Sequence, residues 1–120
     1  TGWATIAAAA FMNNPDRPYL TEKLIKTYTE EKPEAIKNFA EVVFLSDHRQ
    51  DLPKVTIPSL IMQCSEDSIV PLETADYLHK NLKNSTLVVM KAKGHYPHLS
   101  SPEETVTLIN DYLESLHPGQ

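Results

Sequence analysis

Cysteine is nearly missing from this chain. Cys64 stands alone among 120 residues, so no internal disulfide can form, and a reducing, cytoplasmic setting is the expectation. No apolar run approaches the roughly 20 residues of a membrane span, and no signal-peptide layout opens the chain. Blocks of like charge are missing as well. The net charge of -5 is spread along the sequence, which argues against a nucleic-acid partner and mainly favours solubility. Glycine is scarce, at Gly2, Gly94 and Gly119 only. Internal repeats and low-complexity segments are absent, and no cofactor is expected. The first residue is Thr1 rather than Met, so a trimmed or partial chain is expected. What is present, 41% hydrophobic and 22% charged residues, is ordinary globular material for one domain.

The stretch Val55 to Pro71 organises the rest. Leu60, Ile61 and Met62 form a short apolar run between Pro58 and the polar cluster Ser65-Glu66-Asp67-Ser68, as expected of a strand buried on both faces of a parallel sheet. Asp67 is left just past its carboxyl end, where open α/β sheets bind ligands. After Pro71, Leu72, Ala75, Leu78 and Leu82 recur at helical spacing, and the β-branched run Thr86 to Met90 follows. Strand, helix and strand in about 35 residues make a βαβ unit with parallel strands. The second strand runs out into Lys93-Gly94-His95, where glycine permits a positive-φ exit.

Around this unit the spacing predicts four more helices. Trp3, Ile6, Ala7, Ala10 and Phe11 share a face in Thr1 to Met12, stopped by Asn13-Asn14-Pro15. Pro15 to Pro18 reads as a rigid connector. Thr21 is placed as the cap of a helix that buries Leu20, Leu24, Ile25 and Tyr28. Pro33 opens a third helix whose stripe, Ile36, Phe39, Ala40, Val43 and Phe44, is expected to pack hard. Ser101-Pro102-Glu103-Glu104 has the form of a capping box, opening a last helix expected to bury Val106, Ile109, Leu113 and Leu116. Between the third helix and the first strand, Ser46 to Asp51 reads as a solvated turn with an Asp47 to Arg49 contact. His48 with Asp47 and Asp51 lacks a fourth convergent ligand, so no metal site is expected.

Asp67 and His95 carry the chemistry. A hydrolytic imidazole needs a carboxylate on Nδ1, so that Nε2 can take a proton from a nucleophile and return it to the leaving group. Two neighbouring parallel strand ends bring an Asp and a His within such reach, in the chain order, Asp then His, found in α/β-hydrolases. Glu66 is the rival acid and His98 the rival base, the latter better placed at a pocket edge. Ser65 and Ser68 lie near the acid, but a loop serine without an oxyanion hole is a poor nucleophile.

The chain resembles the C-terminal part of an α/β-hydrolase, and is most similar to RsbQ-type bacterial stress-response regulators and their plant relatives, the strigolactone and karrikin receptors. The matching segments are Gly2-Trp3-Ala4, Asn14 to Pro18, Phe44 to Arg49, Ser59 to Cys64 with Asp67 and Pro71, and Gly94 to Ser100. The resemblance implies a parallel βαβ unit plus a terminal helix over residues 51–120, with residues 1–50 the remainder of a helical lid and a connecting helix. It makes Asp67 the triad acid and His95 the base, and lines a small apolar pocket with Trp3, Phe11 and Phe44. It also implies, in the bacterial branch, a role upstream of a phosphatase that activates a stress sigma factor.

The departure is that no G-x-S-x-G elbow can be built from Gly2, Gly94 and Gly119. The chain alone is therefore expected to be inactive, and to need either a missing N-terminal hydrolase half or a second copy of itself. Three classes of function stay open: part of a serine hydrolase acting on a small apolar ester or lactone-like compound, a ligand-sensing regulator, or an interaction module without turnover.

Overall fold

In the computed structural model, which describes residues 2–119, three helices come first: α1 (Gly2–Met12), α2 (Pro18–Glu30) and α3 (Pro33–Leu45). A 3-10 turn over Arg49–Lys54 leads into β1 (Ser59–Glu66), α4 (Leu72–Asn81) and β2 (Ser85–Lys93). The chain closes with the short α5 (Pro97–Ser100) and with α6 (Pro102–Leu116). β1 and β2 pair in parallel, in register from Ser59 opposite Ser85 to Cys64 opposite Met90. This is the expected βαβ unit, and the architecture is that of a partial α/β-hydrolase fold. Thr1, expected in the first helix, lies outside the described residues.

Two small cores hold the chain together. Ala8 and Met12 of α1 pack with Leu20 and Leu24 of α2, flanked by Phe11, Ile25, Tyr28, Tyr96 and Leu99. Cys64, Met90 and Ala92 form the second, under Met62 and Leu108. The buried stripe of α1 is Ala4, Ala8 and Met12, one residue in four, not the expected stripe of Trp3, Ile6, Ala7, Ala10 and Phe11. Alanines let α2 approach the backbone closely, and the larger Trp3 and Ile6 stay exposed. α2 buries the side that was expected, but Pro18 at its first turn starts it, and Thr21 lies inside the helix without a capping role. A proline there costs nothing, since its missing N–H is one that the helix could not have used.

Larger differences concern burial. α3 has no buried residue, with Phe39 at 72% and Phe44 at 69% exposure, and Val106, Ile109, Leu113 and Leu116 of α6 are all exposed. β1 is half-buried along its first four residues instead of buried on both faces. These elements formed where periodicity placed them, yet much of their apolar surface stays uncovered: only Leu108 of α6 and Met62 and Cys64 of β1 join a core among the described residues, and Phe39, Phe44, Val106 and Leu113 are exposed. The molecule exposes 8578 Å², against about 6,500 Å² for a folded monomer of this mass. Its radius of gyration, 16.3 Å, also exceeds the roughly 13.5 Å of a compact chain this long.

The capping box does not form either. Ser101 makes no side-chain cap, and its N–H already donates to the Pro97 carbonyl at 2.7 Å, leaving nothing for Glu104 to accept there. Glu104 reaches to β2 instead, where Oε1 accepts the Lys91 N–H at 2.6 Å and Oε2 the Ala92 N–H at 3.0 Å. No helix among the described residues is long and apolar enough to cross a membrane.

Candidate functional site

Past the carboxyl end of β1 the chain turns on the Asp67 side chain. Asp67 Oδ1 accepts the N–H groups of Ile69 at 2.8 Å and Val70 at 3.0 Å, while buried Gln63 donates from Nε2 to the Val70 carbonyl at 3.0 Å. One carboxylate oxygen is thus spent on holding its own loop. The other, Oδ2, is left facing His95 Nδ1 at 2.8 Å. The Asp67 side chain is only 6% exposed and that of His95 32%, a dry acid beside a base that still reaches solvent.

His95 is fixed from three directions. The Gly94 N–H donates to the Glu66 carbonyl at 2.7 Å, closing the exit of β2 against the exit of β1, and the His95 N–H donates to the Phe11 carbonyl at the end of α1 at 2.7 Å. Gly94 takes φ +81, the positive φ that its position predicts. The Phe11 ring stands edge-on to the imidazole with centroids 5.4 Å apart, and Tyr96 flanks both rings.

Burial alone would raise the Asp67 carboxyl, but the hydrogen bond from His95, with those from Val70 and Ile69, outweighs it and holds the group below its ordinary value. A carboxylate accepting several bonds is favoured in its charged form. Since the folded value is depressed, the stability contributed by ionised Asp67 is complete above the unfolded value of about 3.9 and is lost as pH falls through the folded one. Followed by NMR of its side-chain carboxyl carbon, Asp67 is expected to titrate below 3.8, the ordinary value for the group; a midpoint above it would mean that the contact with His95 is not made in solution.

The alternatives for acid and base are placed elsewhere. Glu66 turns outward and pairs with Lys93 Nζ at 3.2 Å. His98 is exposed and stands edge-on to Tyr96, centroids 5.6 Å apart. Of the residues expected at a pocket, Phe11 contacts His95, and Trp3 stacks on Tyr28 at 5.9 Å, whose hydroxyl lies 3.0 Å from that of Tyr96. Phe44, on α3, has no ring contact among the described residues. Asp47 and Arg49 form the expected surface pair, which lowers the Asp47 carboxyl to about 2. Cys64, beneath the site, is buried, and this desolvation, with the charges of Asp67 and Glu104, pushes its thiol up to about 11.

Two residues for which the sequence showed no role at the site, Asn14 and Arg17, hold it from behind. Asn14, buried, donates from Nδ2 to the carbonyls of Met12 at 2.6 Å and Lys93 at 3.1 Å. Its Oδ1 accepts from Arg17 Nη2 at 2.7 Å, and Arg17 Nη1 donates to the Ser100 carbonyl at 2.6 Å. The expected rigid connector is therefore also a clamp between the α1–α2 turn and the segment carrying His95. A polar Asn-Asn-Pro-Asp-Arg-Pro run between two apolar helices was the available signal, though a run like that is more often solvated.

The family described as TAP-like protein matches residues 42–118. The chain is similar to a probable esterase of Oryza sativa subsp. japonica, 37% identical over 84 residues that make up 69% of this chain and 31% of the rice protein. It is also similar to the karrikin insensitive 2 receptor CA of Petunia hybrida, 34% identical over 73% of this chain and 33% of the receptor. Among solved structures, olei00960, a hydrolase from Oleispira antarctica, superposes with a TM-score of 0.85 at 31% identity, over 93% of this chain and 41% of that one. The chain thus spans about a third of the length of the first two.

Proposed function

The chain belongs to the α/β-hydrolase family, and from that premise we propose that it supplies the acid and the base of a serine hydrolase acting on a small apolar ester or lactone-like compound. The observation that carries the reading is the 2.8 Å hydrogen bond between Asp67 Oδ2 and His95 Nδ1 at the ends of two parallel strands. With ionised Asp67 accepting from Nδ1, the proton of the neutral imidazole sits there and Nε2 carries the lone pair. Nε2 takes the nucleophile's proton as the acyl carbon is attacked, Asp67 stabilises the imidazolium, and the same proton then passes to the leaving alcohol. Water repeats the sequence to release the acid.

In this reading the nucleophile and the oxyanion donors come from polypeptide outside these residues. Ser65 donates instead to the Ala92 carbonyl, and Ser68 is exposed. That polypeptide rests on the bare faces of α3 and α6: the surface in excess of a compact monomer, roughly 2,000 Å², is more than the roughly 800 Å² that one partner contributes to a standard interface. Phe11, with Trp3, Phe44 and His98, lines the acyl pocket under a lid made partly of residues 1–50. The proposal includes the regulatory setting implied by the resemblance, upstream of a phosphatase and a stress sigma factor, in the cytoplasm.

Hydrolysis of a short p-nitrophenyl ester tests it. The complete polypeptide carrying these residues is expected to turn the ester over, and the 120 residues alone to do nothing; an inactive complete polypeptide would overturn the reading. The similarity to a karrikin receptor favours one second reading, ligand sensing without turnover, in which that polypeptide is stabilised by a ligand it leaves uncleaved.

A further inference from the structure

β2 carries one residue too many opposite the end of β1. Cys64 faces Met90, but Glu66 faces Lys93, so Lys91 and Ala92 together oppose Ser65 in a β-bulge. A bulge leaves its extra residue outside the ladder and re-aims the strand beyond it. Here the consequence is visible in the next bond: because the strand has been advanced by one residue, the Glu66 carbonyl receives the N–H of Gly94, and His95 follows at the place where Asp67 waits. Slipping this stretch by one residue would present the opposite side of the strand to Asp67.

The two N–H groups of the bulge converge on one carboxylate, Glu104, with one oxygen for each. Glu104 sits in the first turn of α6 and is half-buried, while its neighbour Glu103 is exposed on the same turn. We propose that Glu104 is a positioning residue for His95, acting by pinning the Lys91–Ala92 bulge in the register that delivers the imidazole to Asp67. A carboxylate suits this task, being an acceptor only, with two oxygens spaced to take two adjacent donors. Glutamine would keep one acceptor and turn an NH₂ against the second N–H. Aspartate would keep the charge and the first-turn acid but fall short of β2 by a methylene. The inference rests on the hydrolase reading for its kinetic consequence, although not for its structural one.

The test uses the complete polypeptide, with Glu104→Gln and Glu104→Asp as variants and Glu103→Gln as control for the loss of an acid from the same helix turn. Two readouts are taken: kcat and KM on a p-nitrophenyl ester, and the downfield proton resonance of His95 Nδ1–H hydrogen-bonded to Asp67. Both Glu104 variants are expected to lose or shift that resonance and to lower kcat about 10- to 100-fold, as a misplacement of about 1 Å does, with KM little changed; Glu103→Gln is expected to match wild type in both. A wild-type resonance and kcat in Glu104→Asp, or equal losses in Glu103→Gln, would overturn the role. If the complete wild-type polypeptide does not turn the ester over, the hydrolase reading fails separately, and the resonance still decides what Glu104 does.

Discussion

Asp67→Asn in the complete polypeptide is expected to lower kcat by about 10⁴-fold while leaving the fold and KM nearly unchanged. Asparagine is close in shape, and its carbonyl oxygen can still accept the Ile69 and Val70 N–H groups that Asp67 Oδ1 accepts, so the loop keeps its form. The loss falls on the other atom. Where Oδ2 accepted from His95 Nδ1 at 2.8 Å, an NH₂ group now donates, and the imidazole answers by placing its proton on Nε2. That is the nitrogen meant to take the nucleophile's proton, and it has become a donor. The charge that stabilised the imidazolium is gone as well. Steady-state kinetics beside a thermal melt checks this; a fully active, folded variant would remove Asp67 from the chemistry.

What could be read from the sequence was local. Pro58, the apolar run at Leu60, the β-branched run at Thr86 and the glycine before His95 act within a few residues, and they located both strands and the Asp67–His95 meeting. Helices α3 and α6 show the limit of the same reasoning. Their spacing made apolar stripes of Phe39 and Phe44, and of Val106 and Leu113, but a stripe says only which side would be buried. Whether it is depends on what stands opposite, and here those side chains are exposed. The clamp made by Asn14 was out of reach for another reason, because its bond to the Lys93 carbonyl spans 79 residues and leaves no periodic trace. At Ser101 to Glu104 the local pattern itself misled. A capping box assumes a free N–H at its first residue, and α5 had already used it.

Gly94→Ala is expected to damage the fold far more than the same methyl added at Gly2 or Gly119. A Cβ at Gly94 would lie 1.9 Å from the Met12 carbonyl oxygen and 2.7 Å from its carbon, inside contact distance of backbone that cannot swing aside as a side chain can. The φ of +81 adds a second cost, since the left-handed region disfavours an L side chain by roughly 1–2 kcal/mol, and overpacking a closed site adds about 1–3 kcal/mol. Together these take a large share of a total stability of about 5–15 kcal/mol. Relief has one route, moving the end of α1 away from β2, which stretches the His95 N–H to Phe11 bond and the Asn14 clamp on Lys93. The variant of the complete polypeptide should therefore melt about 10 °C lower and lose turnover beyond what its unfolded fraction explains. At Gly119, also at positive φ but with nothing within 4 Å, the same substitution should cost only the backbone term. Equal melts for the two variants would show that α1 does not press on the loop that carries His95.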